Sequence, residues 1–130
     1  MEHPLLTNGE LSVMELLWDQ GRLTARRICE QLYPDSRKAQ HGTVQRFLQS
    51  LEEKGCVERD KSLPVHRFTA AISREAYAGQ RLESLAEKLT GGSIAPFLTH
   101  LLAEEKISRS ELARLRRLLV EDTRFSKSHD

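Results

Sequence analysis

Gln45, Arg46 and Gln49 are the side chains of this sequence best suited to hydrogen-bond the edges of DNA base pairs. The donor fork of Arg matches O6 and N7 of guanine, and the Gln amide matches N6 and N7 of adenine in the major groove. All three stand within Gln40–Gly55, QHGTVQRFLQSLEEKG, which has no acidic residue before Glu52. These residue types predict direct contact with bases, provided that one face of one element presents them.

An α-helix would present them in this way. Four apolar residues recur at the i, i+3, i+4, i+7 spacing of one buried helix stripe, namely Val44, Phe47, Leu48 and Leu51. We therefore predict a helix from Gln40, with Gly55 supplying its left-handed cap. A polar helix face is often simply exposed to solvent and contacts no ligand. The neighbouring elements therefore decide whether this face is interpreted as a DNA-contacting one.

Two helices are predicted before this one. Thr7 and Glu10 have the spacing of a capping box that opens a first helix, which ends near Gly21. Arg22-Leu23 has room for a very short strand, and Thr24 is a candidate N-cap for a second helix. A turn at 33–36 then leads into the third helix, because Pro34 and Asp35 both favour turns.

The residue period changes from helical to alternating after Gly55. Val57 to Lys61 and His66 to Ala70 are typical of two strands, and 62–64 can turn the chain between them. This pattern predicts a two-stranded hairpin with a basic tip, in which Arg59 lies on one arm. Three helices followed by a hairpin within about 70 residues is the order of a winged helix-turn-helix.

The winged arrangement suggests which residues contact the DNA backbone. His41 and Thr43, at the predicted start of the third helix, can donate to phosphate near the positive end of the helix dipole. Arg26 and Arg27 on the second helix could instead form ion pairs with Glu30 on a solvated surface. The candidate backbone contacts are Arg26, Arg27, His41, Thr43, Lys61, His66 and Arg67.

Three leucine-rich helices are predicted from Ser73 onwards, broken at Gly91-Gly92 and capped by Ser93 and Ser108. Helices this short are marginal alone, and two-fold packing against a second copy would bury their apolar stripes. Packing back onto the same chain is the alternative. The candidate dimerisation residues are Leu82, Leu85, Leu89, Phe97, Leu98, Leu101, Leu102, Leu112, Leu115 and Leu119.

The predicted fold class is therefore mainly α with a small β-hairpin. Residues 1–72 are expected to form an N-terminal winged helix-turn-helix, 73–121 a three-helix C-terminal dimerisation region, and 122–130 a disordered tail.

Net charge is only +1, but six basic and two acidic residues give +4 between Arg22 and Arg46. A local basic patch of this kind favours site-specific DNA binding over bulk polyanion binding.

Several other classes of protein are disfavoured. No apolar run approaches the ~20 residues that span a bilayer, and no signal peptide is visible, which predicts a cytoplasmic protein without a membrane partner. Cys29 and Cys56 are expected to be reduced thiols. We expect no catalytic residues, no cofactor and no metal site, because no nucleophile–base set, glycine-rich phosphate loop or Cys/His cluster is present.

The ordered motifs of the chain resemble the penicillinase-repressor family. They are E-x-x-VM-x-x-LW over Glu10–Trp18, TV-x-x-x-L-x-x-L-x-x-KG over Thr43–Gly55, and a double glycine before the last two helices. The resemblance implies a homodimeric winged-helix repressor, dimerised by its C-terminal helices, on a double-stranded palindromic DNA operator. In the β-lactam-responsive branch, a sensor-linked protease cuts the dimerisation helices and releases DNA.

The segment that corresponds to that cleavage site is Thr99–Leu102, which lacks the Asn-Phe bond of that branch. The copper-responsive branch carries a cysteine-rich metal motif that this chain does not have. The expected function is thus a sequence-specific transcriptional repressor. The alternative is a winged-helix protein-interaction module without a DNA target, which the near-neutral net charge permits.

Overall fold

The computed structural model describes residues 5–117, so Leu119 and the predicted tail 122–130 lie outside the described residues. A last helical stretch covers residues 109–117. The elements before it are α1 (Asn8–Gln20), β1 (Leu23–Thr24), α2 (Ala25–Leu32), α3 (Arg37–Glu53), β2 (Val57–Asp60), β3 (Arg67–Ala70), α4 (Arg74–Thr90) and α5 (Ala95–Ala103).

The predicted hairpin is part of a small antiparallel sheet with the strand order β1-β3-β2. β2 pairs with β3, and Leu23 of β1 lies opposite Phe68 of β3. The short strand begins one residue later than predicted, at Leu23, and its pairing with β3 was not foreseen. Thr24 ends this strand and also caps α2, since its hydroxyl accepts from the Arg27 N–H at 3.1 Å. The predicted fold class, mainly helical with a small β element, is confirmed.

The hydrophobic core lies among α1, α2, α3 and the sheet. The predicted stripe of α3 is confirmed, since Val44, Leu48 and Leu51 are fully buried and Phe47 packs against the core half-buried. Gly9 of α1 faces the Phe47 ring so closely that an added Cβ would lie 2.3 Å from the ring edge. α1 and α3 therefore approach each other more closely there than a side chain at position 9 would permit.

Helix α3 begins at Arg37, three residues before the predicted start at Gln40. The turn is already complete at Ser36, whose N–H donates to the Tyr33 carbonyl at 3.2 Å. Ser36 is the N-cap residue and is of a type that favours this position, but its side chain makes no capping hydrogen bond. The other end agrees with the prediction: Gly55 has φ 76° and the Cys56 N–H donates to the Leu51 carbonyl at 2.9 Å.

A buried carboxylate joins the start of α1 to the end of α3. The predicted capping box is present, with Thr7 N–H donating to Glu10 Oε1 at 2.8 Å. The same oxygen accepts from Lys54 Nζ at 2.7 Å, although Glu10 is only 3% exposed. Burial raises the pKa of Glu10, but hydrogen bonds from Lys54, Ser50 and Thr7 outweigh it and lower the pKa from 4.5 to about 2.

Contacts divide the chain into two compact units, residues 1–85 and 86–130, with the division inside α4. The predicted domain boundary at 72/73 stays a prediction. In the first unit, Tyr77 of α4 is buried and its hydroxyl accepts from the Leu6 N–H at 3.0 Å. Arg74 forms an ion pair with Asp19 of α1 at 2.7 Å. The first turn of α4 is thus fixed to α1.

The second unit contains the end of α4, α5 and the helical stretch 109–117. Gly91 and Gly92 both have positive φ and end α4 where predicted. α5 has Ile94 as its N-cap without a side-chain bond, so the predicted Ser93 cap is wrong. Pro96 lies in the first turn of this helix. The Ser108 hydroxyl accepts from the Glu111 N–H at 3.1 Å, as the predicted cap requires.

We predict that the Glu10–Lys54 contact makes the fold acid-sensitive. Because the folded pKa of Glu10 lies below the unfolded value, its stabilisation is fully present above pH 4.5 and is lost as pH falls towards 2. Its size is on the order of 2–3 kcal/mol. Glu10→Gln should lower the free energy of unfolding at pH 7 and flatten its fall between pH 4.5 and 2.

Urea unfolding at a series of pH values measures this difference. Glu15→Gln, at an exposed position of the same helix, is the control and should follow the wild-type profile. Parallel pH profiles of the wild type and Glu10→Gln would show that the contact adds no stability.

Candidate nucleic-acid interface

The outward face of α3 is polar and mostly exposed. Helical spacing of ~100° per residue places Lys38, His41, Gln45 and Gln49 on one side of α3, next to the buried stripe. Lys38, His41 and Gln49 are exposed and Gln45 is half-buried. Arg46 is exposed about a quarter turn away from Gln45, where its Nη2 donates to the Thr43 hydroxyl at 3.4 Å. The three predicted base-contacting residues thus border one accessible surface.

A groove runs between this face, the start of α2 and the hairpin. Its lining includes four of the predicted site residues and the apolar end of the hairpin loop: Arg26, His41, Gln45, His66, Pro64 and Val65. Gln45 Nε2 and His41 Nε2 lie 3.3 Å apart and share a hydrogen bond. Residues from three separate elements therefore border a single concave surface.

Arg59 connects the hairpin to α3 and does not extend from the hairpin tip. Its Nη2 lies 3.0 Å from Glu52 Oε1, and its guanidinium stacks 4.7 Å from the centre of the Phe68 ring. Arg59 Nη1 also lies 3.3 Å from His66 Nδ1. The prediction of Arg59 as part of a basic tip is wrong, because this cation is held by a carboxylate and a ring instead of facing solvent.

The remaining cations of the hairpin differ in accessibility. Lys61 is exposed, whereas Arg67 is half-buried on β3 opposite Thr24. Hydrogen bonds from Ser62 lower the pKa of Asp60, and the nearby charges of Arg22 and Arg67 lower it further. Asp60 therefore offsets part of the positive charge of Arg67, and Lys61 is the more available of the two for phosphate.

Glu30 is shared by three arginines beside the groove. Its carboxylate lies 2.8 Å from Arg37 Nη1, 3.7 Å from Arg26 Nε and 3.8 Å from Arg27 Nη1. The ion pairs considered as the alternative for Arg26 and Arg27 are thus present, but these side chains remain 73% and 63% exposed. Such exposed, long pairs contribute well under 1 kcal/mol each, so both guanidinium groups can turn to another anion.

The earlier start of α3 changes the environment of two predicted phosphate contacts. His41 and Thr43 lie in the second turn, so the free N–H groups of the first turn are not theirs. His41 still faces the groove, but Thr43 lies on the side of α3 nearer to Phe47 and is half-buried. The first-turn position belongs to Lys38, an exposed cation that the sequence-based list of site residues omitted.

Three helices followed by an antiparallel hairpin, with a polar and basic face on the third helix, define a winged helix-turn-helix. The sequence matches a family model described as penicillinase repressor over residues 6–121. The chain therefore belongs to the penicillinase-repressor family, and it is a transcriptional repressor that binds DNA.

A curated relative matches the chain, but its description assigns no function. The chain is 25% identical over 115 residues to an uncharacterized 16.5 kDa protein in the ptsI 3′ region of Latilactobacillus sakei. The match covers 88% of this chain and 78% of that protein.

Among residues 5–117, no helix has the length and apolarity needed to cross a bilayer. Within the same residues, no cluster of three or more His, Cys, Asp or Glu could hold a metal ion.

We predict that Glu30 restrains non-specific binding by neutralising the arginines around it. Glu30→Gln should raise the affinity for a random-sequence duplex at low salt about threefold or more, because one repulsive charge is lost and three guanidinium groups become available to phosphate. Fluorescence anisotropy of a labelled duplex measures the effect. Glu15→Gln makes the same charge change on α1 and should leave affinity nearly unchanged. Weaker binding by Glu30→Gln would mean that Glu30 positions these arginines for DNA.

Proposed function

We propose that this repressor acts as a homodimer that binds a palindromic operator through the outward face of α3. The observation that carries the proposal is the groove in which Arg26, His41, Gln45 and His66 meet, together with the exposed Arg46 a quarter turn from Gln45 on α3. A helix whose exposed side carries hydrogen-bond donors fits the major groove of DNA. The cations on either side of it can then contact the two phosphate backbones. Membership of a repressor family supports this use of the surface.

In the proposed complex, the buried stripe holds α3 while its outer face contacts bases. Gln45, Arg46 and Gln49 are assigned to base edges, where their amide and guanidinium forks form paired hydrogen bonds. Phosphate contacts position the helix in the groove and carry no sequence information. We assign the phosphate contacts to Arg26, Arg27, Lys38, His41, Thr43, Lys61, His66 and Arg67.

Exposed leucines on the C-terminal helices support the homodimer. Leu82, Leu85 and Leu89 of α4 recur at helical spacing and are 40%, 46% and 65% exposed. On α5 no side chain is buried, and Leu98, Leu101 and Leu102 are exposed as well. Phe97, Leu112 and Leu115 are half-buried. A two-fold interface would remove this apolar surface from water and would place two α3 helices on a palindrome.

Release by proteolysis in the dimerisation helices is part of the proposal. The residues of the corresponding segment, Thr99–Leu102, are all exposed on α5. A cut there by a sensor-linked protease would separate Leu102 and the stretch 109–117 from the remaining leucines and weaken the dimer. We place this regulation in the cytoplasm.

One observation favours the alternative of a protein-interaction module. Leu63 and Val65, at the end of the hairpin, are 44% and 63% exposed, and apolar side chains of this kind could meet a protein partner. Titration with a random duplex separates the two functions. Affinity that falls steeply with added salt supports DNA binding, and no binding even at low salt would favour the module.

We predict that Arg46→Ala weakens binding to the preferred duplex by about 1–3 kcal/mol and relaxes base preference at one position of each half-site. Selection from a randomised duplex pool, followed by anisotropy titration, measures both effects. Lys88→Ala removes one positive charge from an exposed position of α4 and serves as the control. If Arg46→Ala binds and selects like the wild type, the assigned base-contacting face is wrong.

We further predict that Leu89→Glu shifts the protein from dimer to monomer, because a charge buried at an apolar interface without a partner is strongly unfavourable. Sedimentation equilibrium should give twice the 14.9 kDa chain mass for the wild type and the mass of one chain for the variant. Leu63→Glu makes the same change at an exposed leucine of the hairpin and should remain dimeric. A wild-type protein with the mass of one chain would exclude the homodimer.

A further inference from the structure

Gly42 lies in the interior of α3 without a structural reason for glycine. Its helix runs from Arg37 to Glu53. Apart from the adjacent residues and the backbone of α3 itself, no atom of residues 5–117 would lie within 4 Å of a Cβ added at position 42. By contrast, Gly9 has a reason, because a Cβ there would collide with the Phe47 ring. Glycine inside a helix lowers its stability relative to alanine, so position 42 carries a cost that the fold of the chain does not require.

The surroundings of Gly42 on the helix surface are mostly polar, and the exposed Ala39 at i−3 is the apolar exception. By helical spacing its polar neighbours on the same face are Lys38 at i−4, Gln45 at i+3, Arg46 at i+4 and Gln49 at i+7. Of these, Gln45 is half-buried and the other three are exposed. Gly42 is exposed too, so a patch of bare backbone lies beside four hydrogen-bond donors on this face.

We propose that Gly42 is the point at which a base-pair edge packs directly against the α3 backbone in the repressor–DNA complex. This inference rests on the proposed function and adds a position that sets how deeply α3 enters the major groove. A methyl group at position 42 would move the base edge outward by about 1 Å. Hydrogen bonds lose most of their strength over that distance, so Gln45 and Arg46 would no longer reach their bases together.

If Gly42 sets how deeply α3 enters the major groove, substitutions there should behave differently from substitutions that remove a charge. A side chain at position 42 removes no cation, so the number of phosphates neutralised should not change and the salt dependence of binding should keep its slope. The loss should instead grow with the size of the added side chain. Backbone flexibility at Gly42 is the competing explanation, and it predicts similar losses for Ala and Leu, which both favour helix.

The test compares Gly42→Ala and Gly42→Leu with the wild type and with Gly79→Ala. Gly79 is also an interior helix glycine, and beyond its own helix backbone no described atom would lie within 4 Å of an added Cβ there. It lies in α4 between Glu75 and Glu83 at i−4 and i+4. The probe is the duplex that the wild-type protein selects from a pool randomised over about three helical turns. Thermal unfolding, sedimentation and anisotropy at several salt concentrations are recorded for each variant.

We expect Gly42→Ala and Gly79→Ala both to raise the melting temperature by a few degrees. Only the changes at position 42 should weaken binding to the selected duplex, by about tenfold for Ala and more for Leu, with an unchanged salt slope. Such opposite effects on stability and affinity would locate the loss in the complex and not in the fold.

Three results would overturn the inference: wild-type affinity in Gly42→Ala, equal losses for Ala and Leu, or an equal loss in Gly79→Ala. A failure of the proposed function is distinguishable from each of them. In that case the wild-type protein itself would bind no random duplex at low salt and would select no sequence from the pool.

Discussion

The buried contact between Glu10 and Lys54 holds the end of α3 against the start of α1, and the hairpin leaves α3 from that point. Lys54 is the last residue before the left-handed Gly55, after which the chain enters β2. Holding Lys54 at 2.7 Å from a carboxylate at the start of α1 therefore fixes both the axis of α3 and the direction in which the hairpin leaves it. A buried carboxylate is tolerable there because the cation, the Thr7 N–H and Ser50 satisfy it together.

A second charged contact fixes the hairpin relative to the face of α3. Arg59 joins Glu52 near the end of α3 to the Phe68 ring in β3, and it also lies against His66. The groove therefore has one wall from the helix and one from the hairpin, and a single guanidinium couples the two. Glu52 offsets the charge of this arginine, whose contacts hold the groove residues in position.

The sequence predicted those parts of the fold that depend on local signals. The capping box at Thr7, the stripe of Val44, Leu48 and Leu51 and the Gly55 cap each depend on residues within a few positions of one another. The start of α3 was missed because its first turn, 37–40, lies outside the apolar stripe, and the pairing of β1 was missed because a two-residue strand has no period. The role of Arg59 depends on Glu52 and Phe68, which pattern alone does not bring together. Which bases the assigned residues contact is a property of the complex.

The distribution of charge explains why dimerisation would control this repressor. The chain carries +1 overall, and Glu30 and Asp60 offset part of the positive charge beside the groove. One winged unit with so little spare charge should hold a half-site only weakly, since phosphate contacts supply most non-specific affinity. In the proposed dimer, the second half-site is bound at a high effective concentration, so affinity for the whole operator far exceeds that for one half. Separating the C-terminal helices would then release DNA without changing any residue that touches it.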